Sequence, residues 1–119
     1  MKVRCVRLLD SLGDPIQHSA WAKVGAIYHV LSISIEPRRS LFRLVAEGES
    51  PALFDPEMFE IVSSVIPESW IIVSHTPGCL SIAPKPWTRV GFWQEYFDRK
   101  PEALKSFEVE RQRIVAVDP

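Results

Sequence analysis

The side chains best suited to acid, base or metal chemistry in this chain are three histidines and two cysteines, and few of them are close in sequence. His18, His29 and His75 form no HxH or HxxxH pair, and the nearest cysteine, Cys79, follows His75 by four residues. Structural and catalytic zinc sites usually contain such local ligand pairs. His75 and Cys79 are also poorly placed as base and nucleophile, since a predicted turn separates them and nothing indicates an oxyanion hole. We therefore predict no metal site and no cofactor.

Two carboxylates, Asp55 and Glu57, are close enough in sequence to form an acid and base pair. The sequence Asp-Pro-Glu is better explained as a helix start, with Asp as the cap and Glu in the first turn, where the helix dipole favours a negative charge. The chain also lacks a P-loop, a dinucleotide fingerprint and a GxSxG elbow, and its five glycines are isolated. The sequence thus favours a binding protein over an enzyme.

The distribution of charge is the main indication of a binding role. No Lys or Arg occurs between Arg43 and Lys85, although the formal net charge of the chain is only -1. A local acidic field attracts basic partners and repels nucleic acid. The alternative is that these carboxylates only form a solvated surface. The acidic residues of this interval are Glu47, Glu49, Asp55, Glu57, Glu60 and Glu68.

Length and composition predict a single globular domain. The chain has 119 residues, is 46% hydrophobic and contains four Trp, which suffices for a core without disulfides or metal. The start MKVRCVRLLD has no signal-peptide h-region, and no apolar run approaches the roughly 20 residues of a spanning helix. We expect a cytoplasmic protein that is not inserted in a membrane. Cys5 and Cys79 are expected to be free thiols, with a disulfide between them as the alternative.

Residues 1–65 have the pattern of a small, barrel-like β unit. Residues 2–9 predict a strand, and GAIYHVLSISI predicts a long strand in which Leu31, Ile33 and Ile35 face the core. This alternation would turn Tyr28 and Val30 outward, so we predict a bend or bulge near Val30 that buries both sets. Long bent strands of this kind are typical of small barrels.

The remaining patterns predict two hairpins and a helical tail. The polar turn at 36–40 joins the long strand to LFRLVAE, and a short helical turn at Asp55 leads into a strand within MFEIVSS. Residues 66–83 form the second predicted hairpin, around Thr76-Pro77-Gly78-Cys79. Residues 84–119 are predicted to form an aromatic-rich helical segment, whose aromatic residues either pack on the barrel or line a peptide groove.

The last predicted helix begins at Pro101 and buries one apolar stripe. The stripe consists of Ala103, Leu104, Phe107 and Ile114. The pairs Glu102 with Lys105 and Glu110 with Arg113 are spaced to interact on a solvated outer face.

Basic residues near the N-terminus leave a nucleic-acid alternative open. Lys2, Arg4 and Arg7 could converge with Arg38, Arg39 and Arg43. The first fifty residues carry seven bases and five acids, an excess of only two, which is thin for a surface that tracks phosphates. Nucleic acid is therefore the weaker prediction, as a small RNA-binding or ribosome-associated barrel. A phage or housekeeping adaptor with several partners is a further alternative.

The string GAIYHVLSISIE, followed by a hairpin and PALFDPEMFEIVSS, resembles the small SH3-like β-barrel immunity proteins of bacterial polymorphic toxin and contact-dependent growth inhibition systems. The spacing of Gly25, Tyr28 and Val30 and the strand Phe59-Glu60-Ile61-Val62 carry the resemblance, which covers residues 1–65. The segment GFWQEYFDRKPEALKSFEVE lies outside the pattern. The resemblance implies an α+β, mainly β fold: a small SH3-like antiparallel barrel with an extra hairpin and C-terminal helices.

The resemblance also implies a function. Such a protein is a cytoplasmic antidote that binds one cognate toxin domain and occludes its active site, and such toxins are frequently basic nucleases. An acidic face would then mimic phosphate and speed association. Contacts in this class are particular to each pair, so the predicted partner-binding residues rest on charge alone. They are Glu47, Glu49, Asp55, Glu57 and Glu60.

Overall fold

Two antiparallel sheets and two C-terminal helices make up the fold in the computed structural model, which describes residues 1–119. The protein is α+β and mainly β. The strands are β1 (Lys2–Cys5), β2 (Ile27–His29), β3 (Ser32–Ile35), β4 (Ser40–Leu44), β5 (Ala52–Phe54), β6 (Phe59–Ser63), β7 (Trp70–Thr76) and β8 (Cys79–Pro84). The helices are α1 (Phe92–Phe97) and α2 (Pro101–Val117), and short 3-10 turns span Pro56–Met58 and Lys85–Thr88.

The chain passes from one sheet to the other three times, at two tight corners and through residues 64–69 between β6 and β7. The smaller sheet has the order β2-β1-β6 and the larger one the order β5-β4-β3-β8-β7. Strands β2 and β3 are separated only by Val30 and Leu31, so a single bent segment serves both sheets. The predicted bend near Val30 is confirmed, and Tyr28, Val30 and Leu31 are all buried. The second corner is the 3-10 turn between β5 and β6.

The first strand ends at Cys5, whereas the sequence pattern predicts a strand over residues 2–9. The N–H groups of Val6 and Arg7 donate instead to the carbonyl of Met58, at 2.8 and 3.3 Å. This pairing draws the chain away from the sheet and onto the 3-10 turn. A long loop of residues 6–26 follows, which we call the 6–26 loop.

The larger sheet separates two hydrophobic cores. Side chains alternate between the faces of a strand, and along β4 Phe42 and Leu44 enter the first core while Arg43 reaches the second. The alternation in the sequence predicts that Leu31 and Ile33 share one core, whereas the bend sends Leu31 to the second. The first core consists of Met1, Val3, Cys5, Ala22, Tyr28, Val30, Phe42, Leu44, Phe54 and Met58.

The second core is formed by the C-terminal segment packed on the sheet. Its buried members are Leu31, Ala83, Trp87, Phe92, Ala103, Phe107 and Ile114. Trp87 stacks on Phe107 with ring centroids 5.2 Å apart, and Trp93 lies edge-on to Trp87 at 5.5 Å. The guanidinium of Arg43 lies 3.8 Å from the centroid of the Trp93 ring. Burial lowers the pKa of Arg43 to about 10, so the group stays charged at neutral pH and forms a cation–π contact.

Helix α2 begins at Pro101 as predicted, and Ala103, Phe107 and Ile114 of the predicted stripe are buried. The prediction of a solvated outer face is wrong for Glu110, whose residue is only 6% exposed. Glu110 follows Phe107 by three residues and precedes Ile114 by four, so it lies on the buried face. Its carboxylate accepts a hydrogen bond from Arg113 at 2.9 Å, as the predicted pairing requires.

Both cysteines are free thiols: Cys5 is buried and Cys79 half-buried. Burial raises the pKa of Cys5, and its thiol lies 3.5 Å from the carbonyl oxygen of Arg7. A raised pKa disfavours the reactive thiolate. Cys5 is therefore a core residue. Neither helix has the length and apolar character that a membrane crossing requires.

The end of α2 is fastened to the smaller sheet through Asp118. The Asp118 carboxylate accepts a hydrogen bond from the Ser63 hydroxyl at 2.6 Å and lies 3.2 Å from the amino group of Met1. Nε2 of His29 lies 2.6 Å from the Asp118 carbonyl oxygen. The hydrogen bond from Ser63, with smaller contributions from the Met1 amino group and Lys2, lowers the pKa of Asp118.

We expect Asp118→Asn to destabilise the protein at neutral pH and to have little effect in strong acid. Because the folded pKa lies below the unfolded value near 4, the carboxylate stabilises the fold above about pH 4. This contribution is lost as the pH falls through the lowered pKa. Urea unfolding at neutral and strongly acidic pH measures the difference. Asp14→Asn, an exposed carboxylate without an ion pair, should change stability at neither pH.

Candidate functional site

A groove with a volume of about 930 Å³ lies beside the 6–26 loop. We call it the loop groove. Its lining comes from the 6–26 loop, the turn between β3 and β4, β5 and the first 3-10 turn. Its apolar lining includes Leu9, Ile16, Trp21, Leu41, Leu53 and Met58.

Local hydrogen bonds give the tip of the 6–26 loop a fixed shape. The Asp10 carboxylate accepts from the N–H groups of Leu12 and Asp14, both at 2.9 Å. The N–H of Gly13 donates to the Asp10 carbonyl at 3.0 Å, and Gly13 has a φ of 84°, which only glycine adopts readily. The loop can therefore hold one wall of the groove in place without secondary structure of its own.

Trp21 is anchored through its backbone while its side chain stays exposed. Its N–H donates to the Ser19 hydroxyl and its carbonyl accepts from the N–H of Glu47, both at 3.0 Å. The indole is nevertheless 60% exposed. Exposed Ile16 and Leu53 line the same groove. Three exposed apolar side chains in one concavity are typical of a binding surface.

Charged side chains of opposite sign stand on the walls of the loop groove. Arg38 and Arg39 are exposed on the β3–β4 turn, and Arg39 pairs with Glu36 at 3.3 Å. Asp55 and Glu57 lie at the 3-10 turn. The Asp55 carboxylate accepts from the N–H of Glu57 at 2.9 Å, so the predicted cap is confirmed.

The five predicted partner-binding residues do not form one acidic face. Only Asp55 and Glu57 line the loop groove. Glu47 accepts a hydrogen bond from the buried Tyr28 hydroxyl at 3.0 Å, and burial raises the pKa of Tyr28. Glu60 pairs with Arg4 across β1 and β6 at 2.9 Å. Glu49 is exposed, does not line the loop groove and forms no ion pair.

Three of the residues considered for chemistry have structural partners. Nε2 of His75 lies 2.9 Å from the Ser81 hydroxyl, on the hairpin of β7 and β8, and His29 contacts the backbone of Asp118. Asp55 is occupied as a cap. No group of three His, Cys, Asp or Glu side chains is placed to hold a metal ion.

The basic residues are also divided. Arg38 and Arg39 border the loop groove, Arg43 lies over Trp93 on the second core, and Arg4 pairs with Glu60. The three arginines of the first hairpin therefore do not form one continuous patch.

The apolar half of the loop groove, with Trp21, Ile16 and Leu53, is absent from the sequence prediction. Exposure is the property that distinguishes these side chains from core residues, and local pattern does not report it. The sequence around Trp21 has weak periodicity, which places this aromatic residue outside a regular helix or strand. That is the one sequence signal that could have indicated an exposed Trp21.

Comparison of the chain with protein-family models, curated proteins and solved structures found no match. Its function must therefore be inferred from its own geometry. The loop groove combines exposed apolar side chains with charges of both signs. This chemistry is compatible with recognition of a protein segment.

Proposed function

We propose that this chain is a non-enzymatic protein-binding domain that holds a segment of its partner in the loop groove. The observation that carries the proposal is that exposed Trp21, Ile16 and Leu53 line one groove together with charged side chains of both signs. Aromatic residues contribute most of the binding energy at many protein interfaces, and the surrounding charges select the partner.

The fold that we propose for residues 1–65 is an SH3-like barrel. Three features support it: a bent segment shared by both sheets, a 3-10 turn between β5 and β6, and the pairing of β6 with β1. The buried residues of the first core all lie within residues 1–58. In this interpretation the β7–β8 hairpin extends the larger sheet beside β3.

The chemistry of the groove suggests the character of the bound segment. Its apolar side chains would cover Trp21 and Leu53, since this is the exposed apolar area of the groove. An acidic group would face Arg38 and Arg39, and a basic group would face Asp55 and Glu57.

The specific role that we propose is that of an immunity protein, which neutralises a cognate toxin domain by occluding its active site. The support is the resemblance of residues 1–65 to such proteins together with the groove. Asp55 and Glu57 are the two predicted acidic residues positioned in the groove to contact a basic toxin. In this proposal they set the rate of association, while Trp21 and Leu53 set the affinity.

An RNA-binding barrel is the second candidate. The observation that favours it is that exposed Arg38 and Arg39 line the same groove as Trp21, on which a base could stack. The neighbouring carboxylates Asp55 and Glu57 oppose a phosphate backbone. A partner that is RNA rather than protein would identify this alternative.

We expect Trp21→Ala to weaken partner binding strongly while the fold is retained. Tagged wild type, Trp21→Ala and the control Val90→Ala would be used to capture partners from a lysate of the native host. The captured protein would be identified, purified and titrated by calorimetry. Loss of an interface tryptophan should raise the dissociation constant by at least about 30-fold. Val90, which is 89% exposed outside the groove, should be replaceable without effect.

Two results would contradict the proposal. Equal affinity of the wild type and Trp21→Ala would exclude the groove as the binding site, and retention of RNA by both would favour the second candidate. The immunity role has its own test, because the purified partner should stop growth when expressed alone and be harmless when co-expressed with the wild type. A captured protein that is harmless when expressed alone would leave protein binding intact and exclude the antidote.

A further inference from the structure

Strand β7 is the outer strand of the five-stranded sheet, and one of its edges is unpaired. It is hydrogen-bonded to β8 on one side and to no strand on the other. The single backbone hydrogen bond that joins β7 to a loop runs from Trp70 N–H to the Pro67 carbonyl, at 3.2 Å. Alternate residues of an edge strand direct their N–H and C=O groups outward. The outer edge of β7 is thus a template for another strand.

Charged residues and proline, which commonly protect an edge strand, are absent from β7. The sequence WIIVSHT contains no Lys, Arg, Asp, Glu or Pro, and no charged residue occurs from Ser69 to Pro84. Ile71 is exposed, and Ile72 is 69% exposed. The other outer strands differ, since β2 and β5 have three residues each and β6 carries the Arg4–Glu60 ion pair. An uncharged, apolar edge of seven residues is expected to be covered.

A second copy of this chain fits the edge by symmetry. The ladder of β7 with β8 is regular from Trp70 to Ser74 and shifts register beyond Ser74. Ile72 is the midpoint of this regular stretch. If two β7 strands pair antiparallel about a twofold axis at Ile72, Ile72 faces its own copy and Ile71 faces Val73 of the second copy. Such β-branched pairs stabilise antiparallel sheets, and the absence of charge means that self-pairing brings no like charges together.

We infer that the chain forms a twofold-symmetric dimer through β7, in which the two larger sheets join into one sheet of ten strands. Closed, isologous dimers are the commonest assemblies of soluble proteins. The loop groove lies at β5, at the opposite end of the sheet from β7, so both grooves stay open in the dimer. The dimer therefore presents two separate binding sites for partner segments.

Charge placed at the axis tests the dimer. Sedimentation equilibrium of the full chain over a range of concentrations should give a dimer for the wild type. Ile72→Lys should raise the dimer dissociation constant by about 100-fold or more, because two ammonium groups then face each other. Ile72→Glu should do the same. An equimolar mixture of the two variants should dimerise again, since unlike charges then meet at the axis.

The control and the contrary outcomes are equally specific. Val90→Lys adds the same charge at an exposed residue that is not part of β7, and it should leave the dimer intact. A monomeric wild type at the highest soluble concentration would overturn the inference. A dimer unaffected by Ile72→Lys, or two charged variants that do not associate when mixed, would place the contact elsewhere. The outcome does not depend on the partner of the loop groove, because the purified chain is measured alone.

Discussion

Replacement of Trp87 by alanine is expected to lower the free energy of unfolding by about 3–5 kcal/mol. Trp87 is buried at the centre of the second core, stacked on Phe92 and Phe107 and edge-on to Trp93. Its removal leaves a cavity between the helices and the sheet that these rings can fill only in part. Because small domains are stable by about 5–15 kcal/mol, this loss is a large share of the total. Chemical denaturation followed by circular dichroism measures it.

Trp87→Phe separates ring packing from the polar atom of the indole. The Trp87 N–H is buried without a hydrogen-bond acceptor, which is an unfavourable state for a donor. Phenylalanine keeps a stacked ring and removes this donor, so we expect a loss of less than about 1.5 kcal/mol. Val90→Ala should change stability by less than about 0.5 kcal/mol. A loss for Trp87→Phe equal to that for alanine would show that the full indole volume is required.

Leu44→Ala is the second substitution with a large expected effect, at about 2–5 kcal/mol. Leu44 is fully buried in the first core, on the face of β4 opposite the one that carries Arg43. The two cores share the larger sheet, so the chain should unfold as one cooperative unit. We therefore expect Leu44→Ala to lower a single transition, seen at the same denaturant concentration by circular dichroism and by tryptophan fluorescence.

Fluorescence makes Leu44→Ala a test of domain organisation. Of the four tryptophans, Trp87 and Trp93 report on the second core, Trp70 packs on both cores and Trp21 lines the loop groove. Leu44 belongs to the first core. If part of the fluorescence change kept the midpoint of the wild type while circular dichroism shifted, the barrel-like part and the helical tail would be separate units. Coincident transitions would support one domain over residues 1–119.

The unpaired edge of β7 and the loop groove have different consequences for partner binding. If both proposals hold, one particle carries two loop grooves on opposite ends of a ten-stranded sheet. Two tethered sites increase binding strength only when the partner offers two segments at a matching separation. With a partner that has a single segment, the Ile72→Lys monomer should bind with the affinity of the wild type.

Local sequence patterns determined most of the secondary structure. The alternation in residues 25–35 predicted both the long strand and its bend, and Asp55-Pro56 predicted the capped 3-10 turn. The start of α2 at Pro101 and the turn at Pro77-Gly78 followed from the same kind of signal. These features depend on steric limits and hydrogen bonds between residues close in sequence, so a short stretch contains the information.

The tertiary structure alone decided where the surfaces lie. The acidic interval predicted one charged face. In the folded chain Glu47 accepts a hydrogen bond from Tyr28, Glu60 forms an ion pair with Arg4, and Asp55 lines the loop groove. It also turned Glu110 inward and placed Arg43 over Trp93.

The loop groove could not be predicted from local sequence patterns. Its walls come from the 6–26 loop, the β3–β4 turn, β5 and the 3-10 turn, which are distant in sequence and meet only after the sheets have formed. The unpaired edge of β7 likewise depends on strand order, because β7 becomes the outer strand only when β8 pairs with β3. Local sequence patterns thus specify most of the strands, turns and helices. Long-range strand pairing and burial specify which side chains remain exposed for binding.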